Sequence, residues 1–204
     1  MTEPAVIHII DDDESMRAAL DSLLRSVGLK TRPYDSVDSF LGAKMPDLPG
    51  CLVLDVRLPG ISGLDFQAQL ERRGITLPVI LMTGHGDVPM SVRAMKAGAV
   101  DFLIKPFREQ DMLDAISAAV ARDRAQKAAG SEIASLRARF DTLSPRERQV
   151  MRLVTTGKMN KQVAGELGLS EITVKIHRGS AMRKMKASTL TDLVRMVDAL
   201  GLQD

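Results

Sequence analysis

The sequence predicts an α/β domain with a five-stranded, doubly wound parallel sheet, then a long helical linker and a smaller all-α domain. Three observations support this fold class. Short β-like runs alternate with stretches of helical periodicity over residues 1–121, as in a parallel sheet covered by helices. Several of these runs are almost continuously apolar, which is typical of strands buried on both faces. Beyond residue 121 only helical periodicity remains.

The strands and helices of the first domain can be placed from this alternation. The predicted strands are Val6–Ile10, Lys30–Tyr34, Cys51–Asp55, Pro78–Thr83 and Val100–Ile104. The first helix has its apolar residues at helical spacing, namely Met16, Leu20, Leu23, Leu24 and Val27. Gly28 ends that helix, and glycines also end the predicted helices 63–73 and 88–97. A further helix begins after Arg108.

The linker is predicted from a change in pattern after Ala121, where the sequence becomes polar. Gly130 and Ser131 interrupt the helical pattern, so we expect a helix that is broken or bent near Gly130. A 3-4-3 apolar spacing then resumes at Ile133, Leu136, Phe140 and Leu143. We therefore expect a first domain over residues 1–121, a helical linker over 122–140 and a second domain over 141–204.

Charge divides the chain in the same place. The net charge of +2 combines −5 over residues 1–121 with +7 over residues 122–204. A basic domain often binds nucleic acid, although a solvated basic surface would look the same by composition. Aromatic residues make up only 3% and Trp is absent, which favours duplex DNA over single strands that stack on aromatic rings.

The number of cysteines and the length of the apolar runs indicate the cellular compartment of the protein. Cys51 is the single cysteine, so no internal disulfide can form, and we expect it to be a small buried residue. The apolar runs are too short to span a bilayer, and the N-terminus lacks the pattern of a secretory signal. We therefore expect a cytoplasmic protein with no membrane contact.

Carboxylates occur where the predicted strands end. Asp11 and Asp12 follow the first strand and Asp55 ends the third. These two strands are usually neighbours at the switch point of a doubly wound sheet, so the three carboxylates should share one crevice. Their mutual repulsion favours a bound cation, and hard oxygen ligands suit Mg²⁺.

Two more polar residues follow the remaining strands. Thr83 ends the fourth strand and Lys105 follows the fifth. A hydroxyl and an ammonium facing Asp55 could stabilise a transferring phosphoryl group, with Asp55 as its nucleophile. Taken singly, the aspartates could be helix caps or turn residues and Lys105 a solvated lysine. Their joint placement at the ends of the strands favours the phosphoryl-transfer site.

These segments resemble the receiver domain of two-component response regulators, which has a flavodoxin-like fold. The similarity lies in Ile9–Asp13, Leu54–Gly63, Met82–Gly84 and Lys105–Phe107, and residues 83–102 resemble the FixJ branch. The resemblance implies that Asp55 accepts a phosphoryl group from a sensor histidine kinase. It also implies that Asp12 ligates Mg²⁺ directly, Asp11 through water, and Arg57 through its carbonyl.

The same resemblance implies how the phosphoryl group would be sensed. Thr83 and Phe102 would form a coupled switch pair, in which the hydroxyl moves toward phosphate and the aromatic ring turns inward. The face of the fourth helix and fifth strand, residues 88–102, would then form a homodimer contact. The protein would be a phosphoacceptor rather than an enzyme, with at most slow self-dephosphorylation.

The basic half contains a predicted helix-turn-helix within a four-helix domain. Residues 142–186 hold ten Lys/Arg against three Asp/Glu. Ser144, Pro145 and Glu147 form the start signal of one helix, and Asn160 is predicted to cap the next. The segment Gly168–Ser170 then separates two short helices, which is the spacing of a helix-turn-helix.

The second of these helices has two different faces. Val174, His177, Ala181 and Met185 should pack inward, and the opposite face suits the major groove of DNA. The segments 143–150, 160–164 and 173–177 are similar to the LuxR/NarL-type DNA-binding domain. The residues that we expect to contact DNA are Asn160, Lys161, Thr173, Lys175, Ile176, Arg178, Ser180, Arg183 and Lys184.

Together these features predict a response regulator that controls transcription. Phosphorylation of Asp55 would promote dimerisation and sequence-specific DNA binding, and RNA polymerase is a possible partner. Two alternatives stay open from sequence. One is a DNA-binding regulator that works without phosphorylation, and the other is a phosphatase with an aspartyl-phosphate intermediate. Such phosphatases usually carry a second acid two residues after the nucleophile, where this chain has Arg57.

Overall fold

A parallel sheet of five strands organises the first part of the chain in the computed structural model, which describes residues 4–202. The strands are β1 (Val6–Ile10), β2 (Lys30–Tyr34), β3 (Gly50–Asp55), β4 (Val79–Thr83) and β5 (Asp101–Ile104). Their order across the sheet is β2-β1-β3-β4-β5, and all pairings are parallel. β1, β3 and β4 are buried along their whole length, as their apolar sequences predict.

Five helices follow the strands. They are α1 (Glu14–Ser26), α2 (Val37–Gly42), α3 (Gly63–Leu70), α4 (Val88–Lys96) and α5 (Glu109–Asp141), and a 3₁₀ turn (Glu71–Arg73) follows α3. One apolar layer packs α1 and α5 against one face of the sheet, with Leu24 and Met112 at its centre. The other layer packs α2, α3 and α4 against the opposite face, around Phe40 and Phe66. The fold class predicted from sequence is therefore confirmed.

Four further helices form a second core. They are α6 (Pro145–Thr155), α7 (Asn160–Leu167), α8 (Glu171–Met185) and α9 (Leu190–Ala199). Val150, Val163, Val174 and Leu193 are fully buried in this core. The chain divides into two compact units, residues 1–127 and 128–204. The domain limits proposed from sequence, which include residues outside the described range at both ends, stay a prediction.

Two expectations about helices were wrong. The linker helix is not broken near Gly130, because α5 runs without interruption from Glu109 to Asp141. A single glycine costs a helix only about 1 kcal/mol relative to alanine, which the surrounding helix-forming residues can offset. The N-cap of α7 is Met159 rather than Asn160, and the Gln162 side chain accepts a hydrogen bond from the Met159 amide at 2.8 Å.

The helix start predicted from Ser144 and the helix boundary predicted at Gly168–Ser170 are confirmed. Ser144 and Glu147 form a reciprocal capping box at the start of α6, with Pro145 as its first residue. The Ser170 side chain accepts a hydrogen bond from the Thr173 amide and so caps α8. None of the helices within residues 4–202 is long and apolar enough to cross a bilayer.

Candidate functional site

The register of the sheet brings the predicted acidic residues to one edge. Ile10 of β1 pairs with Leu54 of β3, so Asp11 and Asp55 lie next to each other at the carboxyl ends of neighbouring strands. Thr83 of β4 pairs with Ile104 of β5, which places Lys105 just beyond that pair. All four residues therefore lie at the edge where ligands bind in doubly wound sheets.

Three carboxylates converge in this pocket. Asp11, Asp12 and Asp55 each have an oxygen within 4.8 Å of the others. Asp11 and Asp55 are buried, whereas Asp12 is exposed. These hard oxygen donors fit a divalent cation such as Mg²⁺. The exposed position of Asp12 leaves room for the water molecules that Mg²⁺ keeps. Arg57, whose carbonyl is the fourth expected ligand, lines the same surface depression as Asp12.

Lys105 compensates part of the negative charge. Its Nζ donates to Asp11 Oδ2 at 2.7 Å and to Asp55 Oδ2 at 3.1 Å. Burial by itself lowers the pKa of Lys105, but the hydrogen bond to Asp11 and the charge of Asp55 outweigh it and raise the pKa. The side chain is therefore a firmly protonated ammonium, bound to two of the three carboxylates.

Asp55 has an electrostatic environment of its own. Burial raises the pKa of its carboxyl, and the hydrogen bond from the Arg57 amide at 3.2 Å together with Lys105 only partly offsets this. The nearby charge of Asp11 acts in the same direction as burial. The ionised carboxylate of Asp55 is thus held at a free-energy cost, and added positive charge in the pocket would relieve that cost.

Thr83 lies on β4, which pairs with the strand that ends in Asp55, and Phe102 lies on β5, the next strand across the sheet. Thr83 is fully buried, and its Oγ1 exchanges two 3.3 Å hydrogen bonds with the backbone N–H and carbonyl of His85. Phe102 is partly buried against the α2–α3–α4 layer. A Cβ at Gly86 would lie 3.1 Å from the Phe102 ring and 2.8 Å from Ile104, so the loop after β4 packs directly on β5.

The structure adds two residues to the pocket that sequence reasoning missed. Arg17 Nη1 donates to the Asp11 carbonyl at 2.7 Å and so supports the backbone of the pocket from α1. A Cβ at Gly63 would lie 2.2 Å from the Asp55 carbonyl, so only glycine fits there. A glycine at the first position of an apolar helix was a usable signal for Gly63. Nothing in the local sequence singles out Arg17.

Asp13, the third carboxylate of the run, has a different role. Its Oδ1 accepts hydrogen bonds from the Ser15 amide at 2.8 Å and the Met16 amide at 3.3 Å. It therefore caps α1 and stabilises the first turn of that helix. The run of three aspartates thus combines two pocket residues with one helix cap.

The second unit presents a helix-turn-helix formed by α7 and α8. Gly168, which has a φ of +64°, ends α7, and Ser170 caps α8 directly afterwards. Val174, Ala181 and Met185 are fully buried on the inner face of α8, as predicted, and His177 is half-buried. Lys175, Ile176 and Arg183 are exposed on the outer side.

The residues expected to contact DNA fall into two groups. Within the described residues, the side chains of Lys161, Lys175 and Arg183 make no hydrogen bond or ion pair and are exposed. Ile176 is likewise exposed, whereas the other polar members already have partners within the unit. Arg178 Nη1 donates to Asn160 Oδ1 at 3.3 Å, and the Thr173 and Ser170 hydroxyls are 2.8 Å apart.

The buried carboxylate of Glu147 binds the two remaining residues expected to contact DNA, Ser180 and Lys184. Lys184 Nζ donates to Glu147 Oε2 at 2.7 Å and to the Thr142 carbonyl at 3.2 Å. Burial acts to raise the pKa of Glu147, but hydrogen bonds from Lys184, Ser180 and Ser144 outweigh it and lower the pKa to about 2. Lys184 and Ser180 therefore tie α8 to α6, and their contact with DNA stays a prediction.

Comparison with protein families matches both units. Residues 7–117 match the model of the response regulator receiver domain. Residues 141–197 match the model of the bacterial regulatory proteins of the luxR family. The two matches together include the acidic pocket and the helix-turn-helix.

Individual relatives match over nearly the whole chain. Nodulation protein W of Bradyrhizobium diazoefficiens is 58% identical over 198 residues, which cover 97% of this chain and 87% of the relative. Transcriptional regulatory protein FixJ of Azorhizobium caulinodans is 44% identical over 202 residues, which cover 99% and 96%. Among solved structures, the response regulator StyR superposes with a TM-score of 0.85 at 44% identity and covers 96% of this chain and 98% of its own.

Proposed function

The chain belongs to the response regulators that join a receiver domain to a LuxR-type DNA-binding domain, and on that premise we propose that Asp55 is its phosphoacceptor. Relatives of this kind are transcriptional regulators in two-component systems. The single observation that supports the proposal most is the convergence of Asp11, Asp12, Asp55 and Lys105 at one edge of the sheet.

The proposed reaction is phosphoryl transfer from a histidine of a sensor kinase to Asp55. A carboxylate oxygen of Asp55 forms a bond to phosphorus while the bond between phosphorus and the kinase histidine nitrogen breaks. The electron pair of that bond stays on the imidazole. Lys105 carries positive charge to the side of Asp55 where charge develops on the phosphoryl oxygens, and Thr83 can donate a hydrogen bond to one of them.

The donor set of the pocket fits Mg²⁺. Asp11, Asp12, Asp55 and the Arg57 carbonyl would hold the ion, whose chemistry is to neutralise charge on the transferring phosphoryl oxygens. Lys105 alone cannot balance three carboxylates, and the raised pKa of Asp55 supports the need for more positive charge.

We further propose that phosphorylation promotes a homodimer through α4 and β5. Val88, Val92, Met95 and Ile104 are large apolar residues on this face, and they are 45–75% exposed. Exposed apolar patches of this kind mark interaction surfaces. Thr83 and Phe102 would link the pocket to this face, since both lie on strands that border it. Two DNA-binding units would then reach half-sites about 10 bp apart.

Phosphate incorporation at Asp55 is the first test. The chain is incubated with acetyl phosphate and Mg²⁺, and the adduct is measured by mass spectrometry. We expect incorporation in the wild type, none in Asp55→Asn, and strong reduction when EDTA removes the metal. Asp13→Asn is the matched control because asparagine caps α1 as well as aspartate does.

The outcomes of this test separate the open alternatives. Undiminished labelling of Asp55→Asn would rule out Asp55 as the acceptor. No labelling of the wild type, together with normal DNA binding, would favour a regulator that works without phosphorylation. Sustained turnover of small phosphate esters would instead favour a phosphatase over a phosphoacceptor.

DNA binding through α8 is the second test. Lys175 is exposed on the outer side of the recognition helix, so Lys175→Ala should weaken binding to a selected duplex by roughly 1 kcal/mol, about fivefold in Kd. Titration by fluorescence anisotropy at a fixed, moderate salt concentration measures this change. Lys30→Ala, an exposed lysine of β2, serves as the control. Equal affinities of wild type and Lys175→Ala would contradict the proposed orientation of α8.

A further inference from the structure

Two isoleucines on the outer side of α8 are unusually exposed. Ile172 is 73% exposed and Ile176 is 63% exposed. They are four residues apart on one helix, so their side chains are neighbours and form one apolar ridge. The buried residues of α8 lie elsewhere on the helix, at Val174, Ala181 and Met185. The ridge is therefore not part of the core of its unit.

The surroundings of the ridge favour a polyanionic partner. Lys175 lies beside both isoleucines, and Arg183 is exposed further along the same side of α8. A Cβ at Gly179 would meet nothing within 4 Å, so the surface between the ridge and Arg183 is open. An apolar protein partner or a second copy of this ridge would bring the two cations into a dry interface. Duplex DNA supplies phosphates for the cations and a groove for the ridge.

The major groove offers a matching apolar group at one base only. Purines and cytosine present hydrogen-bond donors and acceptors there, and thymine alone adds a C5 methyl group. An isoleucine side chain cannot form hydrogen bonds, so a favourable contact with a base edge must be with that methyl group. We propose that Ile172 and Ile176 read thymine methyl groups in the half-site. This inference rests on the proposed DNA binding by α8 and adds Ile172 to its base-reading residues.

Helix geometry limits where the thymines can be. Ile172 and Ile176 are separated by a rise of about 6 Å along α8. Successive bases of one strand are about 3.4 Å apart along the axis of DNA. The two side chains therefore span no more than about two base steps. The half-site should contain two thymines within that distance, on either strand.

Replacing thymine by uracil tests the inference directly. Uracil pairs as thymine does and lacks only the C5 methyl group. A duplex selected by the wild-type chain from a randomised library is remade with deoxyuridine for thymidine, and both forms are titrated at one salt concentration. Loss of two buried methyl contacts should weaken wild-type binding by about fifteenfold, since each methyl group accounts for about fourfold. Single deoxyuridine substitutions then locate the two positions.

Alanine variants connect this effect to the ridge. Ile172→Ala and Ile176→Ala should each weaken binding to the thymidine duplex about fourfold, and each should lose sensitivity to one of the two deoxyuridine positions. Both residues are exposed and alanine is a strong helix former, so folding is kept, and circular dichroism checks it. Ile133→Ala is the matched control, because Ile133 is a 48% exposed isoleucine on α5 of the same unit.

Each outcome decides the matter. Equal wild-type affinity for the two duplexes would overturn the inference and leave DNA binding intact. So would an unchanged deoxyuridine effect in both alanine variants, since the methyl groups would then act through DNA shape rather than through the ridge. If the wild-type chain selects no duplex at any salt concentration, the proposed DNA binding fails and this inference fails with it.

Discussion

Lys105 shows how one side chain sets the chemistry of the acidic pocket. Its ammonium lies within hydrogen-bonding distance of both buried carboxylates, Asp11 and Asp55. It thereby lets two buried anions coexist, which would otherwise repel each other strongly in a low-dielectric site. One cation beside three carboxylates leaves the pocket short of positive charge. The arrangement fits a pocket of oxygen donors that a divalent cation would complete.

His8 is a buried titratable residue outside that pocket. It is 2% exposed in β1, and its Nδ1 is 3.1 Å from the Tyr34 hydroxyl. Its ring stacks on Tyr34 and meets the edge of Phe40. Burial and, to a smaller extent, the positive charge of Arg32 lower the pKa of His8 to about 4 from 6.5. The imidazole is therefore neutral in the folded receiver unit at neutral pH.

This lowered pKa makes the stability of the receiver unit depend on pH. The folded pKa lies below the unfolded one, so the contribution is complete above pH 6.5 and is lost as the pH falls toward 4. The loss amounts to roughly 3 kcal/mol. His8→Phe should abolish this part of the pH dependence, as measured by urea unfolding between pH 7 and 4. Tyr34→Phe keeps the imidazole and should retain it, and an unchanged slope in His8→Phe would contradict the explanation.

At the scale of elements, α5 is anchored by polar contacts well past the matched receiver segment. Asp123 is fully buried and its Oδ2 accepts a hydrogen bond from the Gly50 amide at 2.9 Å. One turn later, Lys127 Nζ donates to the Leu48 carbonyl at 2.8 Å. Both contacts hold α5 to the segment that leads into β3. They extend the first compact unit to residue 127.

Asp123→Ala should destabilise the receiver unit by about 1–3 kcal/mol, because it leaves the buried Gly50 amide without its acceptor. Asp123→Asn should cost less, since its carbonyl oxygen can still accept that bond. Lys127→Ala is a matched control one turn away, and its partly exposed contact should contribute below about 1 kcal/mol. Urea unfolding gives the stabilities, and amide hydrogen exchange over residues 118–127 shows whether the loss is local. Equal stability of all three variants would mean that Asp123 does not anchor α5.

Elements were predictable where a single local signal decides them. The strands β1, β3 and β4 are apolar runs, and the start of α6 has its cap, proline and glutamate in adjacent positions, so the sequence alone located both. The helix α2 was missed because six residues hold too few apolar positions to show a period. The break expected near Gly130 was wrong because helix continuity depends on the residues around the glycine as well as on the glycine itself.

The pocket residues could also be predicted from the sequence. The carboxyl ends of parallel strands meet at one edge of the sheet, however far apart the strands are along the chain. That rule brought together Asp11, Asp55 and Lys105, which the structure places in contact. Contacts that depend on the direction of a long side chain were not predictable. Arg17 beside the Asp11 carbonyl and Lys184 on Glu147 are of this kind. The exposure of Ile172 was not predicted, because an apolar residue at helical spacing usually packs inward.

For the whole molecule, the two units have separate cores and their main buried titratable groups respond in different pH ranges. The receiver unit depends on neutral His8. The DNA-binding unit depends on ionised Glu147, whose pKa is lowered from 4.5 to about 2, with burial opposed by bonds from Lys184 and Ser180. The contribution of Glu147 is complete above pH 4.5 and is lost as the pH falls toward 2.

These ranges predict that acid separates the unfolding of the two units. Tyr34 is the only tyrosine and Trp is absent, so tyrosine fluorescence reports the receiver unit, while far-ultraviolet circular dichroism reports helices of both. As the pH falls from 7 to 4.5, the midpoint of the fluorescence transition should move to lower urea concentration. The part of the dichroism transition at higher urea, which reports the DNA-binding unit, should keep its midpoint. Glu147→Gln should shift only the midpoint of the dichroism transition that reports the DNA-binding unit. Coincident transitions at every pH would mean that the chain unfolds as one cooperative unit, with α5 coupling the two cores.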